Sequence, residues 1–360
     1  MIKVCIFNGD MSRGGGTERI TQILANALAN EPDFHVTVLN LNNEKGNSFY
    51  PIDSCIDFCI LPPGGILKKN LELRRFLKER KIDVLINVDI MLGIFSLFSL
   101  FSRKTKVISW EMFNLRNDIG SKNTVRMRKL CLRRSAYYIT QTKGDMEAFQ
   151  REMPVKCPMA YIYNPCDPNE AYTSYDSTSK TIVTAGHFFY TKGYDLAIQV
   201  AKLVFERHPD WKWEFYGDGS QFEKMKALVK ELSLENNVIF CGRTNHIEEA
   251  YKKAAMYVMT SRTEGFGLVL TEAKSYRLPT LSFDIDFGPR EIIEDGISGY
   301  LVPSFDVVQM ADRICELIEK PEMRLQFSQH AKDNLPLFSL EAFIQKWNTV
   351  IQNVVHRKEK

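Results

Sequence analysis

The stretch MYVMTSRTEGFGLVLTEAKSY, residues 256–276, sets three kinds of segment in a row. MYVMTSR is an apolar run closed by a polar turn, EGFG is a glycine-rich loop, and LVLTEAKSY has helical spacing. Strand, loop and helix in this order are half of a βαβ unit. Such a junction turns the free N–H groups and the positive end of the helix toward whatever binds the loop. The same cadence continues on both sides. Downstream come PTLSFD, the turn-rich EDGISGYLV and helices from Val307 onward; upstream come TIVTAG, YDLAIQVAKLVFERH, KWEFYG, SQFEKMKALVKELSL, VIFCG and HIEEAYKKA. A polar stretch, CDPNEAYTSYDSTSK (166–180), interrupts the pattern. Before it, KVCIFN, TERITQILANALAN, HVTVLNL, LRRFLKERK, DVLINV, KVISW, AYYITQT and AYIYNP repeat the alternation.

This order predicts two doubly wound α/β domains with parallel sheets, facing each other across a cleft. The expected boundaries are a first domain over 1–168, a linker over 169–180, a second domain over 181–338 and a final segment over 339–360. The last amphipathic helix, roughly Leu340 to Val354, is long enough to return to the first domain. A chain of 360 residues suits two cores of about 160 to 180 residues each.

Composition narrows the class. The chain is 44% hydrophobic and 25% charged, in the globular range. It opens directly into a strand pattern with no basic, apolar or small-residue leader, so a cytoplasmic protein is expected. Its longest apolar run, IMLGIFSLFSLF (90–101), is too short to span a bilayer and reads as a core or interfacial helix. The cysteines at 5, 55, 59, 131, 157, 166, 241 and 315 show no metal-binding spacing and read as buried free thiols.

Net charge is +3, but residues 1–170 carry 24 Lys+Arg against 18 Asp+Glu, leaving 23 against 26 for the rest. Within 101–135 ten basic residues face only Glu111 and Asp118. A solvated helix face explains this, and so does a peripheral contact with an anionic membrane. No nucleic-acid motif accompanies the patch, so a nucleic-acid partner is not expected.

Glu264 and Glu272 lie eight apart, a spacing that Glu206/Glu214 and Glu223/Glu231 repeat, so spacing alone decides nothing. Within one continuous helix eight residues span about 12 Å. Paired glycosidase carboxylates sit about 5 to 9.5 Å apart. Two separate grips on one ligand fit better than an acid/base couple. Two further glycine-rich turns follow strands: SRGGGTERI (12–20) and AGHFFYTKG (185–193), whose Lys192 would offer an ammonium to a phosphate. A third turn, DFGPREII (286–293), follows TLSFD. Asp284 and Asp286 there form a D-x-D, for which turn formation and helix capping are better explanations than a metal.

Taken together, GGTER (15–19), NP (164–165), AGH…KG (185–193), YGDG (216–219), FCGR (240–243), SRTEGFGLVLTEA (261–273), LP (278–279) and GPREII…DGISGYLV (288–302) resemble family 4 of the retaining, GT-B-fold nucleotide-sugar glycosyltransferases. The resemblance runs along nearly the whole chain, and Glu264 with Glu272 match the family's E-x₇-E signature. It implies that Gly15 and Gly16 approach the diphosphate of the donor from the first domain, with Lys192 on the other side. Glu264 and the backbone of Phe266, Gly267 and Leu268 would hold the donor sugar, Glu272 the ribose, and Arg243 and Thr244 would border the base. Helix-end and cationic stabilisation of the leaving diphosphate then calls for no metal or other cofactor. The implied donor is a UDP-sugar carrying a hexose or N-acetylhexosamine. The implied acceptor is a saccharide or lipid-linked saccharide in surface polysaccharide (capsule-type) synthesis at the inner membrane face. A non-catalytic sugar-nucleotide-binding protein and a sugar-nucleotide epimerase on the same fold are the alternatives.

Three positions depart from the family pattern. His187 stands where an arginine is usual, which predicts weaker diphosphate binding that improves at lower pH. Met112 stands where a histidine is often found in the first domain, so either Glu111 takes its catalytic place or the position is unused. Arg277 replaces the small residue expected before LP and reads as loop variation.

Overall fold

The computed structural model describes residues 1–43, 45–99, 104–117, 122–166 and 172–357. The chain divides into two compact units, Met1–Pro165 with Glu341–Lys360, and Cys166–Leu340.

The first unit holds strands β1 (Ile2–Asn8), β2 (Phe34–Asn40), β3 (Asp57–Ile60), β4 (Val84–Val88), β5 (Lys106–Trp110), β6 (Tyr137–Thr140) and β7 (Met159–Tyr161). Its helices are α1 (Gly16–Ala29), α2 (Ile66–Arg80), α3 (Gly93–Ser99), α4 (Lys122–Arg134) and α5 (Lys143–Glu152). All pairings are parallel, in the order β3-β2-β1-β4-β5-β6-β7. Register is set by buried runs laid side by side, Val4 to Ile6 against Val84 to Ile86. Every residue of β4 is buried, as befits a central strand covered on both faces.

The second unit holds β8 (Thr181–Ala185), β9 (Lys212–Tyr216), β10 (Val238–Gly242), β11 (Met256–Met259), β12 (Thr280–Asp284) and β13 (Gly299–Pro303), again all parallel, in the order β10-β9-β8-β11-β12-β13. Its helices are α6 (Tyr194–Arg207), α7 (Phe222–Glu231), α8 (Ile247–Lys253), α9 (Leu268–Ser275), α10 (Pro289–Ile292), α11 (Val307–Glu319) and α12 (Pro321–His330). The core gathers Phe188, Tyr194, Trp213 and Phe215 with apolar residues of α6 and α11.

The last helix, α13 (Leu340–His356), buries Phe343, Trp347, Val350, Ile351 and Val354 along one stripe. Trp347 meets Trp110, at the end of β5, edge-on with ring centroids 4.8 Å apart, and so completes the core of the first unit.

Two strands escape the sequence pattern. β3 is a four-residue edge strand with no buried position, so it has no apolar signature. The turn-rich EDGISGYLV contains β13, which the glycine- and aspartate-rich turn before it conceals. Residues 100 and 101 of the apolar run lie outside the described residues; its earlier part forms a short 3₁₀ turn (Ile90–Leu92) and α3. Among the described residues no helix is long and apolar enough to cross a membrane. Cys5, Cys131, Cys157, Cys166 and Cys315 are buried free thiols as expected, whereas Cys55 and Cys241 are exposed and Cys59 is half-buried.

Candidate functional site

In each sheet the strand order reverses once, between β1 and β4 in the first unit and between β8 and β11 in the second. Loops leaving the carboxyl ends of such a strand pair diverge to opposite faces and open a crevice, where ligands of doubly wound folds bind. In the second unit those two loops are AGHFFYTKG and SRTEGFG.

They are bound to each other. Lys192 Nζ donates to both carboxylate oxygens of Glu264, at 2.7 and 2.8 Å, and Ser261 Oγ donates to the same carboxylate at 2.6 Å. Glu264 is 8% exposed and the Lys192 side chain 32% exposed, so the lysine is the more accessible partner of the pair. A second tie lies beside it: Arg262 grips Asp195 of α6 through two bonds of 2.8 and 2.7 Å, donates to the Tyr190 carbonyl and covers the Tyr190 ring. Burial pushes the Asp195 carboxyl up, but the hydrogen bonds and charge of Arg262 outweigh it and hold it below its ordinary value.

The closeness of these loops explains the glycines. A Cβ at Gly193, where φ is +65°, would stand 2.0 Å from the Thr260 carbonyl oxygen, so no other residue fits where the β8 loop crosses the end of β11. Gly267, at φ +100°, turns the chain into α9 and caps it without a side-chain acceptor. Glu272 follows one turn into α9, half-buried. Glu264 and Glu272 both raise the Tyr257 phenol further, after burial and Tyr194, so the two carboxylates bear on one buried ring.

The rim extends along the sheet. Phe188 N donates to Asp218 O at 2.7 Å, Gly186 N to Tyr216 O at 2.9 Å and Gly217 N to Gly242 O at 2.8 Å, which joins the loops after β8, β9 and β10. His187 lies on this rim, half-exposed, with Nδ1 3.4 Å from Asp218 Oδ1 and its ring stacked on Phe189. Arg243 and Thr244 are exposed after β10, two strands away from β8 at the edge of the sheet. Phe266 is buried against Phe338, so only its backbone is available to a ligand.

In the last turn of α9, Lys274 is buried and donates to Ile292 O at 2.6 Å and Ser298 Oγ at 3.1 Å. Burial pushes its ammonium down to about 8. Arg277 carries φ +61°, a left-handed backbone that a glycine would adopt without strain. Asp284 of the D-x-D is taken up by a bidentate pair with Arg290. Among the described residues no three His, Cys, Asp or Glu side chains gather as metal ligands would.

In the first unit Gly15 is the N-cap of α1 and Gly16 its first residue. A Cβ on Gly15 would fall 2.6 Å from Glu18 Oε2, whereas Gly16 has open space around it. Glu18 reaches back to the Gly15 amide in the manner of a capping box, and burial raises its carboxyl. Glu111 does not sit at a site. It is fully buried at the end of β5, bonded to Arg128 Nε at 2.9 Å and Tyr138 Oη at 2.8 Å on one oxygen and to Phe113 N at 3.3 Å on the other. With no exposed surface and both oxygens engaged, the carboxylate is held inside the first unit by Arg128, Tyr138 and the Phe113 amide rather than presented to solvent. Gln141 Nε2 donates to the carbonyl of Met112 at 2.8 Å, and the thioether is buried.

Sequence reasoning missed Ser261 and the Arg262–Asp195 clamp. The clamp joins residues 67 apart, and only the adjacency of β8 and β11 brings them together.

Residues 170–334 match the family model of the glycosyl transferases group 1. Over 98% of its length the chain is 29% identical to an uncharacterized glycosyltransferase of Haemophilus influenzae, covering all of that protein. It is 25% identical, over 98% of its length and all of the relative's, to the amylovoran biosynthesis glycosyltransferase AmsD of Erwinia amylovora. Among solved structures, Anabaena Alr3699/HepE in complex with UDP-glucose superposes with a TM-score of 0.81 at 17% identity, covering 98% of this chain and 100% of that one. The fold is GT-B.

Proposed function

We propose that the chain is a retaining glycosyltransferase that moves a hexose or N-acetylhexosamine from a UDP-sugar to a saccharide or lipid-linked saccharide in surface polysaccharide synthesis. The observation that carries this reading is the Lys192–Glu264 pair at the reversal point of the second sheet, beside the uncapped start of α9. Similarity to AmsD, named for amylovoran biosynthesis, and to a protein solved with UDP-glucose supports the substrate class.

In this reading the diphosphate competes with Glu264 for the Lys192 ammonium and lies at the positive start of α9, while the backbone of Phe266, Gly267 and Leu268 holds the donor sugar. Glu264, relieved of that cation, turns its oxygens to the sugar hydroxyls, and Ser261 keeps the carboxylate oriented. Glu272 takes the ribose, Arg243 and Thr244 border the base, and Gly15 and Gly16 approach the diphosphate from the first unit. Charge building on the departing diphosphate is met by fixed donors, which lowers the barrier without reorganisation. Attack on the same face, with the leaving phosphate accepting the acceptor proton, retains the anomeric configuration. The reading calls for no metal, and EDTA should leave turnover unchanged.

The test is slow release of UDP from UDP-sugars without acceptor, abolished in Glu264→Ala. Tight binding without any release would instead favour a sugar-nucleotide-binding module. Thermal shifts with UDP-, GDP- and ADP-sugars identify the base, because a ligand at one hundred times its Kd stabilises by about 2.7 kcal/mol.

A peripheral contact with the inner face of the cytoplasmic membrane belongs to the same reading. Lys122, Arg126, Lys129 and Arg133 recur every three or four residues along the exposed face of α4, which contains no acidic residue. Among the described residues they form no ion pair, whereas Arg116 and Arg128 of the same basic segment are used internally by Glu152 and Glu111. The outer residues 101–103 and 118–121 lie outside the described residues. Sedimentation with phosphatidylglycerol vesicles but not with phosphatidylcholine ones, lost on reversing these four charges, checks the contact.

A further inference from the structure

Two adjacent aromatic residues stand open to solvent on the loop between β8 and α6. Phe189 is 48% exposed and Tyr190 66%, whereas Phe188 just before them is sealed in the core. Single exposed apolar side chains are ordinary on a protein surface, but a contiguous aromatic patch invites a covering partner. This patch is also held in place. The His187 ring stacks on Phe189 with centroids 5.4 Å apart. Arg262, on the loop after β11, lays its guanidinium over one face of Tyr190, 4.1 Å from the ring centroid, and donates to the Tyr190 carbonyl at 3.0 Å. That guanidinium is fixed in turn by its fork to Asp195, at 2.8 and 2.7 Å, and the Arg262 amide donates to Thr191 O at 2.7 Å.

This network therefore steadies a side chain that adds nothing to the core. Tyr190 stays 66% exposed with one face covered, so its other face is the open one. A ring whose rotamer is already fixed offers contact area at little further loss of entropy, which suits recognition.

Position indicates what it recognises. Tyr190 begins the 3₁₀ turn Tyr190–Lys192, which brings Lys192 to Glu264. Its anchor, Arg262, belongs to the β11 loop that also carries Ser261 and Glu264. Arg243 and Thr244, where the reading above puts the base, follow β10, two strands from β8 on its other side. The aromatic pair thus stands at the sugar end of the rim rather than at the base end. A pyranose has faces built of C–H groups and a periphery of hydroxyls, and such faces pack on aromatic rings.

We infer that Tyr190, with Phe189 beside it and Arg262 behind it, forms a saccharide subsite on the second unit, where one pyranose ring of the acceptor lies against the open face. This subsite rests on the glycosyl-transfer reading above and deepens it by naming residues that select the acceptor. Tyr190 and Phe189 are binding residues; Arg262 is a positioning residue that acts through the Tyr190 ring.

The test uses the full chain carrying 3-fluorotyrosine, followed by fluorine NMR during titration with UDP and then, in its presence, with maltose, cellobiose, lactose and chitobiose. The Tyr190 signal, identified by its loss in Tyr190→Leu, should move with at least one disaccharide and stay put with UDP alone. Saturation transferred from the protein to the C–H protons of that disaccharide should persist in Tyr190→Phe. In Tyr190→Leu its affinity should fall about tenfold, while UDP affinity, measured by calorimetry, holds. A merely structural role for Tyr190 would weaken both ligands together and overturns the assignment. Arg262→Lys keeps the charge but loses the fork and the flat cover, and should also weaken the disaccharide; native disaccharide affinity there overturns the role given to Arg262. A signal that moves with UDP alone gives the ring to the nucleobase and overturns the saccharide subsite. A chain that binds UDP but whose Tyr190 signal no disaccharide moves loses this subsite and keeps the glycosyl-transfer reading, whereas a chain that does not bind UDP loses both.

Discussion

Two ion pairs hold the carboxyl ends of strands, one in each unit, and they differ in what can reach them. Arg128 and Glu111 are 2% and 0% exposed and are enclosed by Tyr138 and the backbone of residues 114–117. Lys192 and Glu264 make an equally short pair, but the cation is about one-third exposed and lies beside an uncapped helix start. A carboxylate–cation pair is a structural brace when protein closes every approach. The same pair is a binding device when a ligand can displace one partner, so burial separates the two roles where residue type does not.

The comparison breaks most readily at the brace. Glu111→Gln leaves a buried guanidinium without its counter-charge and should destabilise the first unit by about 3–5 kcal/mol, read from urea unfolding. A loss below about 1 kcal/mol would mean that the carbonyls of Asn114, Leu115 and Asn117 suffice for Arg128. At the other pair the effects should invert: Glu264→Ala lowers UDP-sugar turnover by about 100-fold or more while shifting stability by about 1 kcal/mol or less. A large stability loss there would make it a second brace.

Lys274 sharpens the contrast from a third side, being a buried cation bonded only to neutral oxygens. Its pKa falls from 10.5 to about 8, so between those values the unfolded chain binds the extra proton and stability rises with pH. The whole window corresponds to roughly 3 kcal/mol. In Lys274→Met the rise in urea midpoint from pH 8 to 10 should flatten, and an identical rise in native and variant proteins would show that this ammonium is solvated. The smallest effect belongs to the rim. His187→Arg places a permanent cation beside Asp218 and should tighten UDP binding several-fold, measured by calorimetry. An unchanged affinity in the variant would remove His187 from the diphosphate.

These contrasts were unevenly legible in the sequence. The junction around Glu264 can be read because strand, glycines and helix are local signals, and two parallel α/β domains follow from their repetition. That Lys192 touches Glu264, 72 residues away, depends on β8 lying beside β11, which no local pattern encodes. Glu111 shows the converse. The family resemblance offered it as a site residue beside Met112, and its concealment comes from α4 and β6, 17 and 27 residues on. Asp89 looks in the sequence like an ordinary capping aspartate although its φ is +90°, because a backbone dihedral leaves no trace in residue type unless a glycine marks it.

The contact of Trp347 with Trp110 has a temporal side. Residues 166–340 form one unit from a continuous stretch, whereas the other needs both 1–165 and 341–360. During synthesis the half made first must therefore wait, with the Trp110 surface uncovered, until the final helix leaves the ribosome, and the half begun later is finished sooner. A chain stopped near residue 340 would hold a complete second unit and a first unit still exposing apolar surface, a state for chaperones or proteases to recognise.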